Sequence, residues 1–524
     1  MKILHNARIY TLEKTHPLAS VIVLDHGEIL AIGSEELLRE FEVVPREDLG
    51  GRVVLPGLID AHLHLKHYAL SLRQIDCETD TLAECLRRIR ATASQSAPGK
   101  WILGHGWNQN VWGAWPTAGD LDGAAANNPV FLTAKSLHAA WANTAAMQLA
   151  GLQAGTADPA DGQIQRNPAG EPTGILLEGA ASLVGRLVPE PDLGDLADAI
   201  ERAQTELWKF GLTAVHDFDQ RDCFMALQQL RLDGRLKLRV TKSIPMELLA
   251  QAHDLGLRTG FGDDLLRIGS VKVFMDGALG PRTAAMFEPY DGEPGNKGIL
   301  NLDGEQLFEL GRTAAAVGLA MAVHAIGDRA NHEALQAFEH LRAYEGVRHL
   351  PRLRHRIEHV QVIHPDDLGR LASLDVIASM QPVHATSDMH MADTYWGSRT
   401  AWAYAWKSQL QAGTHVAFGS DAPVESPNPF WGIHAAITRR RPDGAPGPQG
   451  WHPKQRISRQ QALEGFTMGP AYAAYAENRH GSLAPGKLAD LVVLEKDPFL
   501  CEPDDLRRMQ SSATMIGGDW VFRA

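Results

Sequence analysis

The chain has 524 residues, 44% of them hydrophobic, with 63 acidic against 50 basic side chains and a formal charge of −13, a globular composition that counts against nucleic acid or an anionic membrane as partner. Cys77, Cys85, Cys223 and Cys501 show no CxxC spacing, so neither a disulfide framework nor a cysteine zinc site is indicated, and a reducing cytoplasm fits. The N-terminal "MKILHNARIYTLE" lacks the apolar stretch of a signal peptide, and no long apolar run follows, which predicts a soluble intracellular protein.

Residues 1–54 alternate short apolar runs with turn signals, as in "ILHNARIYTL" and "SVIVLDHGEILAIG", the pattern of strands and hairpins. The end of the chain repeats that style in "GSLAPGKLADLVVLEKDPF" and "TMIGGDWVFRA". Neither piece can bury a core alone, so residues 1–54 and 478–524 are predicted to combine into one small composite β-sandwich. Residues 55–477 then form the catalytic domain. Strand-like runs there, "VVLPGLIDAHLH", "LTAVHDF", "IGSVKVFMDG", "LAMAVHAIGD", "RHRIEHVQ", "VIASMQPVH" and "HVAFGSDAP", alternate with helical sequence such as "ADAIERAQTELWKFG". That rhythm predicts an α/β fold, a (β/α)8 TIM barrel, with its polar residues at one mouth where the strands end. A doubly wound sheet also alternates in this way, but no Gly-rich phosphate fingerprint accompanies it. One stretch, residues 76–191, breaks the rhythm and is read as an insertion packed against the mouth. Its tryptophans, Trp101, Trp107, Trp112, Trp115 and Trp141, are either its core or the lining of a substrate pocket.

The strand ends carry the chemistry. In "LPGLIDAHLHLKHY" the alternation of a β-strand sends Asp60, His62 and His64 to one face, and two imidazoles together can share a metal ion. Lys272, His324, His359 and Asp421 close other strands, and nitrogen and oxygen donors of this kind suit a divalent transition metal. Any one histidine is also readable as a satisfied core residue; their recurrence at successive strand ends favours the metal. By the same alternation Glu358 should point away from His359. In "SVKVFMDG", Lys272 shares a face with Phe274 and points into the barrel. Burial depresses a lysine pKa, and a neutral amine can take up carbon dioxide as a carbamate able to bridge two metals. The competing reading is an ion pair with Asp276 or another carboxylate.

Taken together, "VVLPGLIDAHLHL", "VKVFMDGALGPRTA", "VHAIGDRAN", "HRIEHVQ", "SMQPVHATSDM", "FGSDAPVESPNPFWGI" and "GSLAPGKLADLVVLEKDP" resemble the amidohydrolase superfamily, in the branch of N-substituted formamide deformylase and YtcJ-like hydrolases. The resemblance spans nearly the whole chain. It implies a barrel with a mononuclear or binuclear metal centre, most in keeping with Zn2+, although Mn2+, Fe2+ or Co2+ would serve. By position, His62 and His64 would bind the more buried metal, His324 and His359 the more exposed one, and Lys272, if carboxylated, would bridge them. Asp421 would bind metal and act as the catalytic base. His138, His216 with Asp217, Arg282 and His384 fall in matched blocks as candidate substrate contacts, and Asp328 is expected to cap the helix that follows it.

The implied reaction is hydrolysis of a non-peptide carbon–nitrogen bond, in an amide, formamide or carbamate-like group of a small organic molecule. An esterase, lactonase or phosphotriesterase would use the same centre. A catalytically inactive scaffold is the reading from another class, and its expected mark, lost ligands, is missing from the sequence. No nucleic-acid or membrane partner is expected, and a homo-oligomer is left open.

Overall fold

The computed structural model describes residues 1–159, 161–189 and 191–524. Its centre is an eight-stranded parallel sheet: β1 (Leu58–Leu63), β2 (Leu212–Asp217), β3 (Arg239–Pro245), β4 (Leu266–Phe274), β5 (Met321–Ala325), β6 (Arg356–His359), β7 (Ile377–Met380) and β8 (Val416–Phe418). Each strand pairs in parallel with its neighbour in chain order. The ring closes just past β8, where Leu63 bridges Ala422, Asp421 N donates to His62 O at 2.7 Å and His64 N donates to Ala422 O at 2.8 Å. Gly419 permits this closure, since a Cβ there would lie 2.5 Å from His62 N. The buried Asp60 fastens the same seam, accepting from His62 N and Ser420 N at 3.0 Å and from the Ser420 hydroxyl at 2.5 Å. The fold is thus the barrel that the alternating pattern predicts.

Helices return the chain between strands. Leu193–Lys209 is capped by Asp192, and Gly304–Val317 by a reciprocal Asp303/Gln306 box and by Gly318 at φ 83°. Buried faces such as Ile200, Leu207, Leu307 and Leu335 join the strand exteriors in one core. Asp328 is the first residue of the helix Asp328–Val347 and Gly327 its cap, a correction to the expected role. The Asp328 carboxylate instead accepts from Phe287 N and Arg329 N, tying the helix start to a loop.

Both chain ends enter one six-stranded sheet, in which Val53–Pro56 lies between Leu491–Leu494 and Arg8–Tyr10. A four-stranded sheet containing Lys2–His5 and Val21–Asp25 shares its core, with Leu4, Ile22, Val54, Leu491 and Met515 in contact. A third sheet, of six strands from Ile75–Asp76 to Pro172–Glu178, belongs to the segment that breaks the barrel rhythm. Trp107 and Trp141 are fully buried within it and pack with Trp112 and Trp115 at ring separations of 6.0–6.4 Å. The tryptophans are therefore chiefly its core. Among the described residues no helix is long and apolar enough to cross a membrane.

Candidate metal centre

β1 delivers His62 to the barrel interior at its C-terminal end, and His64 follows one turn of the pleat later. Their Nε2 atoms converge on one carboxylate oxygen: Asp421 Oδ1 lies 3.5 Å from His62 Nε2 and 3.4 Å from His64 Nε2. The other ring nitrogen of each is already held, His62 Nδ1 by Glu358 Oε2 at 2.7 Å and His64 Nδ1 by Asp219 Oδ1 at 3.1 Å. In the neutral ring a carboxylate on Nδ1 places the proton there and leaves the Nε2 lone pair for a cation. Burial opposes charge on His64, but Asp219 and Asp421 outweigh it and raise its pKa to about 9. Burial and then the Lys272 charge push His62 far below the ordinary imidazole value. Burial also disfavours charge on Asp421, yet His62 and His64 hold its carboxyl well below the usual range.

A second group forms on the other side of Asp421. His359, at the end of β6, has Nδ1 2.8 Å from Gln381 Oε1, and its ligating atoms fall within 4.8 Å of those of His384 and Asp421. His324, ending β5, has its ring 4.6 Å from that of His359, with Nε2 3.0 Å from Gly277 O, so Nδ1 is its remaining atom. His384 is thus closer to this group than a substrate-only role implies. Glu358 does not turn away from the site: the left-handed φ of 77° at His359 breaks the strand alternation, and both residues face inward. Lys272 is buried with its Nζ 4.6 Å from the Phe218 ring and 4.8 Å from the Phe274 ring, and makes no hydrogen bond among the described residues. Burial lowers its pKa to about 8. The expected partner Asp276 is occupied elsewhere, accepting from the backbone amides of Ala285, Ile326 and Gly327.

A cavity of about 310 Å3 opens from this centre, lined by His138, His324, His359, His384 and Asp421 at its floor and by Asn108, Lys135 and Trp431 farther out. Three of the sequence-chosen contacts, His216, Asp217 and Arg282, are not among its lining residues. His216 is buried in the barrel, where its Nδ1 accepts from Arg356 at 2.8 Å, and its neighbour Asp217 pairs with Lys242 at 3.0 Å. Arg282 turns to Glu293 and stacks 5.3 Å over Tyr395. Of the residues that hold the imidazoles, Asp219 and Gln381 are absent from the sequence reading, and Glu358 enters it only as a residue expected to point away from His359.

Residues 47–522 match the amidohydrolase family. The chain belongs to that family. Over 99% of its length it is 33% identical to Protein LONG AFTER FAR-RED 3 of Arabidopsis thaliana, covering 91% of that protein, and 31% identical to the putative amidohydrolase YtcJ of Bacillus subtilis, covering 98%. It is 29% identical to the N-substituted formamide deformylase of Arthrobacter pascens, over 98% of this chain and 96% of that one. Among solved structures, an uncharacterized metal-dependent hydrolase from Pyrococcus horikoshii superposes with a TM-score of 0.78 at 30% identity, over 96% of this chain and 99% of that one. Hydrolysis with a divalent metal is the general chemistry these relatives support. The residues fit such an ion: among the described residues His62 Nε2, His384 Nε2 and Lys272 Nζ are buried polar atoms that make no hydrogen bond, and the converging donors are nitrogen and oxygen throughout.

Proposed function

We propose that the protein hydrolyses a carbon–nitrogen bond other than a peptide bond, in an amide, N-substituted formamide or carbamate-like group of a small organic molecule. The observation that carries this reading is the pair of imidazole Nε2 atoms that converge on one buried carboxylate oxygen, at 3.5 and 3.4 Å, with Nδ1 of each ring already held. His62, His64 and Asp421 would hold one cation. His324 and His359 would hold a second, with Lys272 as a carbamate between them and His384 beside Asp421. Zn2+ suits this donor set best, and Mn2+, Fe2+ or Co2+ are workable substitutes. When bound, such a cation lowers the pKa of water towards neutrality and polarises a carbonyl oxygen.

The residues supply the rest. Asp421, kept ionised by the imidazoles around it, accepts the proton that water loses as it adds to the carbonyl, and returns it to the departing amine nitrogen. Glu358, Asp219 and Gln381 keep the histidine rings from rotating. The formamide-cleaving relative supports the choice of a carbon–nitrogen bond. Four unpaired cysteines and a net charge of −13 are in keeping with a cytoplasmic enzyme acting on small molecules.

Protein purified without added metal, analysed for metals and assayed against N-aryl formamides, acetamides and carbamates together with matching esters, tests this. The expected result is one or two equivalents of metal, loss of activity on prolonged chelation, recovery with Zn2+, Mn2+ or Co2+, and preference for the nitrogen compounds. Full activity in rigorously metal-free protein, or a preference for esters across the panel, would overturn the reading.

A further inference from the structure

One imidazole at the cavity floor comes from outside the barrel. His138 precedes the strand Ala139–Ala142, in the sheet that breaks the barrel rhythm, and lines the cavity together with His324, its ring 5.5 Å away. Its Nδ1 lies 2.7 Å from Glu178 Oε2, while Nε2 makes no hydrogen bond among the described residues. Glu178 ends the neighbouring strand, and its backbone N–H donates to His138 O at 2.9 Å. The other Glu178 oxygen accepts the hydroxyl of Thr283, which belongs to the barrel loop after β4 and itself accepts from Ala278 N at 3.0 Å. A chain of hydrogen bonds therefore joins a barrel loop, through Glu178, to the ring of His138.

The backbone is bent to make this chain. Leu137, next to His138, sits at φ 62°, and Glu178 at φ 50° with ψ −131°, conformations that residues other than glycine adopt at a cost. Tight packing reinforces it, since a Cβ on Gly277 would collide with both Thr283 and Glu178. A surface histidine with an incidental carboxylate neighbour needs neither two left-handed residues nor a tether to another sheet.

We propose that His138 is a catalytic residue that hydrogen-bonds the scissile group of the substrate through Nε2, with Glu178 and Thr283 as its positioning residues. The extra sheet, in this account, completes the active site and selects substrates that offer a hydrogen-bonding atom beside the bond to be broken. The inference rests on the hydrolytic reading of the cavity but not on the choice of amide over ester.

The test uses the metal-loaded protein and whichever member of the amide, carbamate and ester panel it cleaves best. His138→Ala should lower kcat/KM on the order of a hundredfold, the size expected when one hydrogen bond to the reacting group is removed, with metal content unchanged. His138→Gln, which keeps a polar atom near Nε2, should recover part of the loss. Thr283→Val should give a smaller loss, restored by Thr283→Ser, and should shift the 15N resonances of the His138 ring, which a purely structural contact would leave alone. N-monosubstituted and N,N-disubstituted amides then separate a bond to the amide N–H, lost in the second set, from a bond to the carbonyl oxygen, kept in both. His138→Ala within threefold of the parent, or a loss that follows loss of metal, overturns the proposal. A preference for esters would sink the carbon–nitrogen reading while leaving the His138 comparison intact.

Discussion

The two walls of the cavity are built in different ways. The barrel wall places His62, His324 and His359 on the ends of regular strands, deep in a continuous core, so the backbone there needs little local bending except at the exits of β6 and β8. The wall contributed by the extra sheet offers one imidazole, His138, held by a backbone with positive φ at Leu137, the residue before it, and at its partner Glu178. A strand end fixes direction through the ladder on both sides; a turn must be fixed by side chains, here Glu178 and Thr283. Substitutions on the first wall should therefore act on the metal, on the proton transfer or on both, whereas those on the second should leave the metal in place and act on the substrate.

The strongest test of the barrel wall is Asp421→Asn, which keeps a metal-binding oxygen but cannot accept a proton. Turnover should fall by about 10²- to 10⁴-fold, with metal content largely preserved. Unchanged turnover at full metal loading would make Asp421 a bystander and leave His138 as the main polar group on the substrate. Lys272→Ala comes next. If the lysine bridges as a carbamate, metal content and activity should fall together by roughly a hundredfold, and acetate or propionate supplied with metal should restore part of both by filling the vacated bridge. A lysine that serves only packing against Phe218 and Phe274 would cost stability, with no rescue by acids.

A smaller effect is expected from Glu358→Gln. The change keeps a hydrogen-bond acceptor on His62 Nδ1 but removes the charge that holds the ring proton, and metal affinity measured against a competing chelator should weaken about 10- to 100-fold. The same change removes the negative charge beside the buried Arg356, so unfolding should be followed in parallel; a loss of stability with unaltered metal affinity would assign Glu358 to the Arg356 pair alone.

The contrast also explains what could be read from the sequence. The barrel was legible because apolar strands end in ligand-type residues at a regular spacing, and two histidines two positions apart must share a face. The composite sheet was legible because both chain ends carry short strands that no local core could satisfy. The residues that hold the imidazoles were not: Asp219, Glu358 and Gln381 come from other strands or loops, and their pairing depends on barrel closure, which no local pattern encodes. Glu358 in particular was hidden by the left-handed turn at His359, since strict alternation would send one of the two outward. His138 could be named from the resemblance, but its grip by Glu178 and Thr283, 40 and 145 positions away in the chain, could not be.

The smallest effect should come from Arg282, a residue that the sequence placed beside His138 as a substrate contact. Its guanidinium pairs with Glu293 and lies over Tyr395, whose hydroxyl donates to Asn110 at 3.1 Å on the cavity rim, so any influence on substrate runs through two intermediaries. The pair is partly exposed, at 25% and 32% of the side chains, and such ion pairs contribute about 0–1 kcal/mol. Arg282→Ala should accordingly leave kcat/KM within about threefold and change stability by no more than that. The comparison with His138→Ala is what gives the measurement its value, because both residues occupy matched positions in the sequence resemblance and only one lines the cavity. A loss for Arg282→Ala as large as that for His138→Ala would mean that the loop carrying Leu279–Arg282 swings inward on substrate binding, and that the cavity wall described here is its open form.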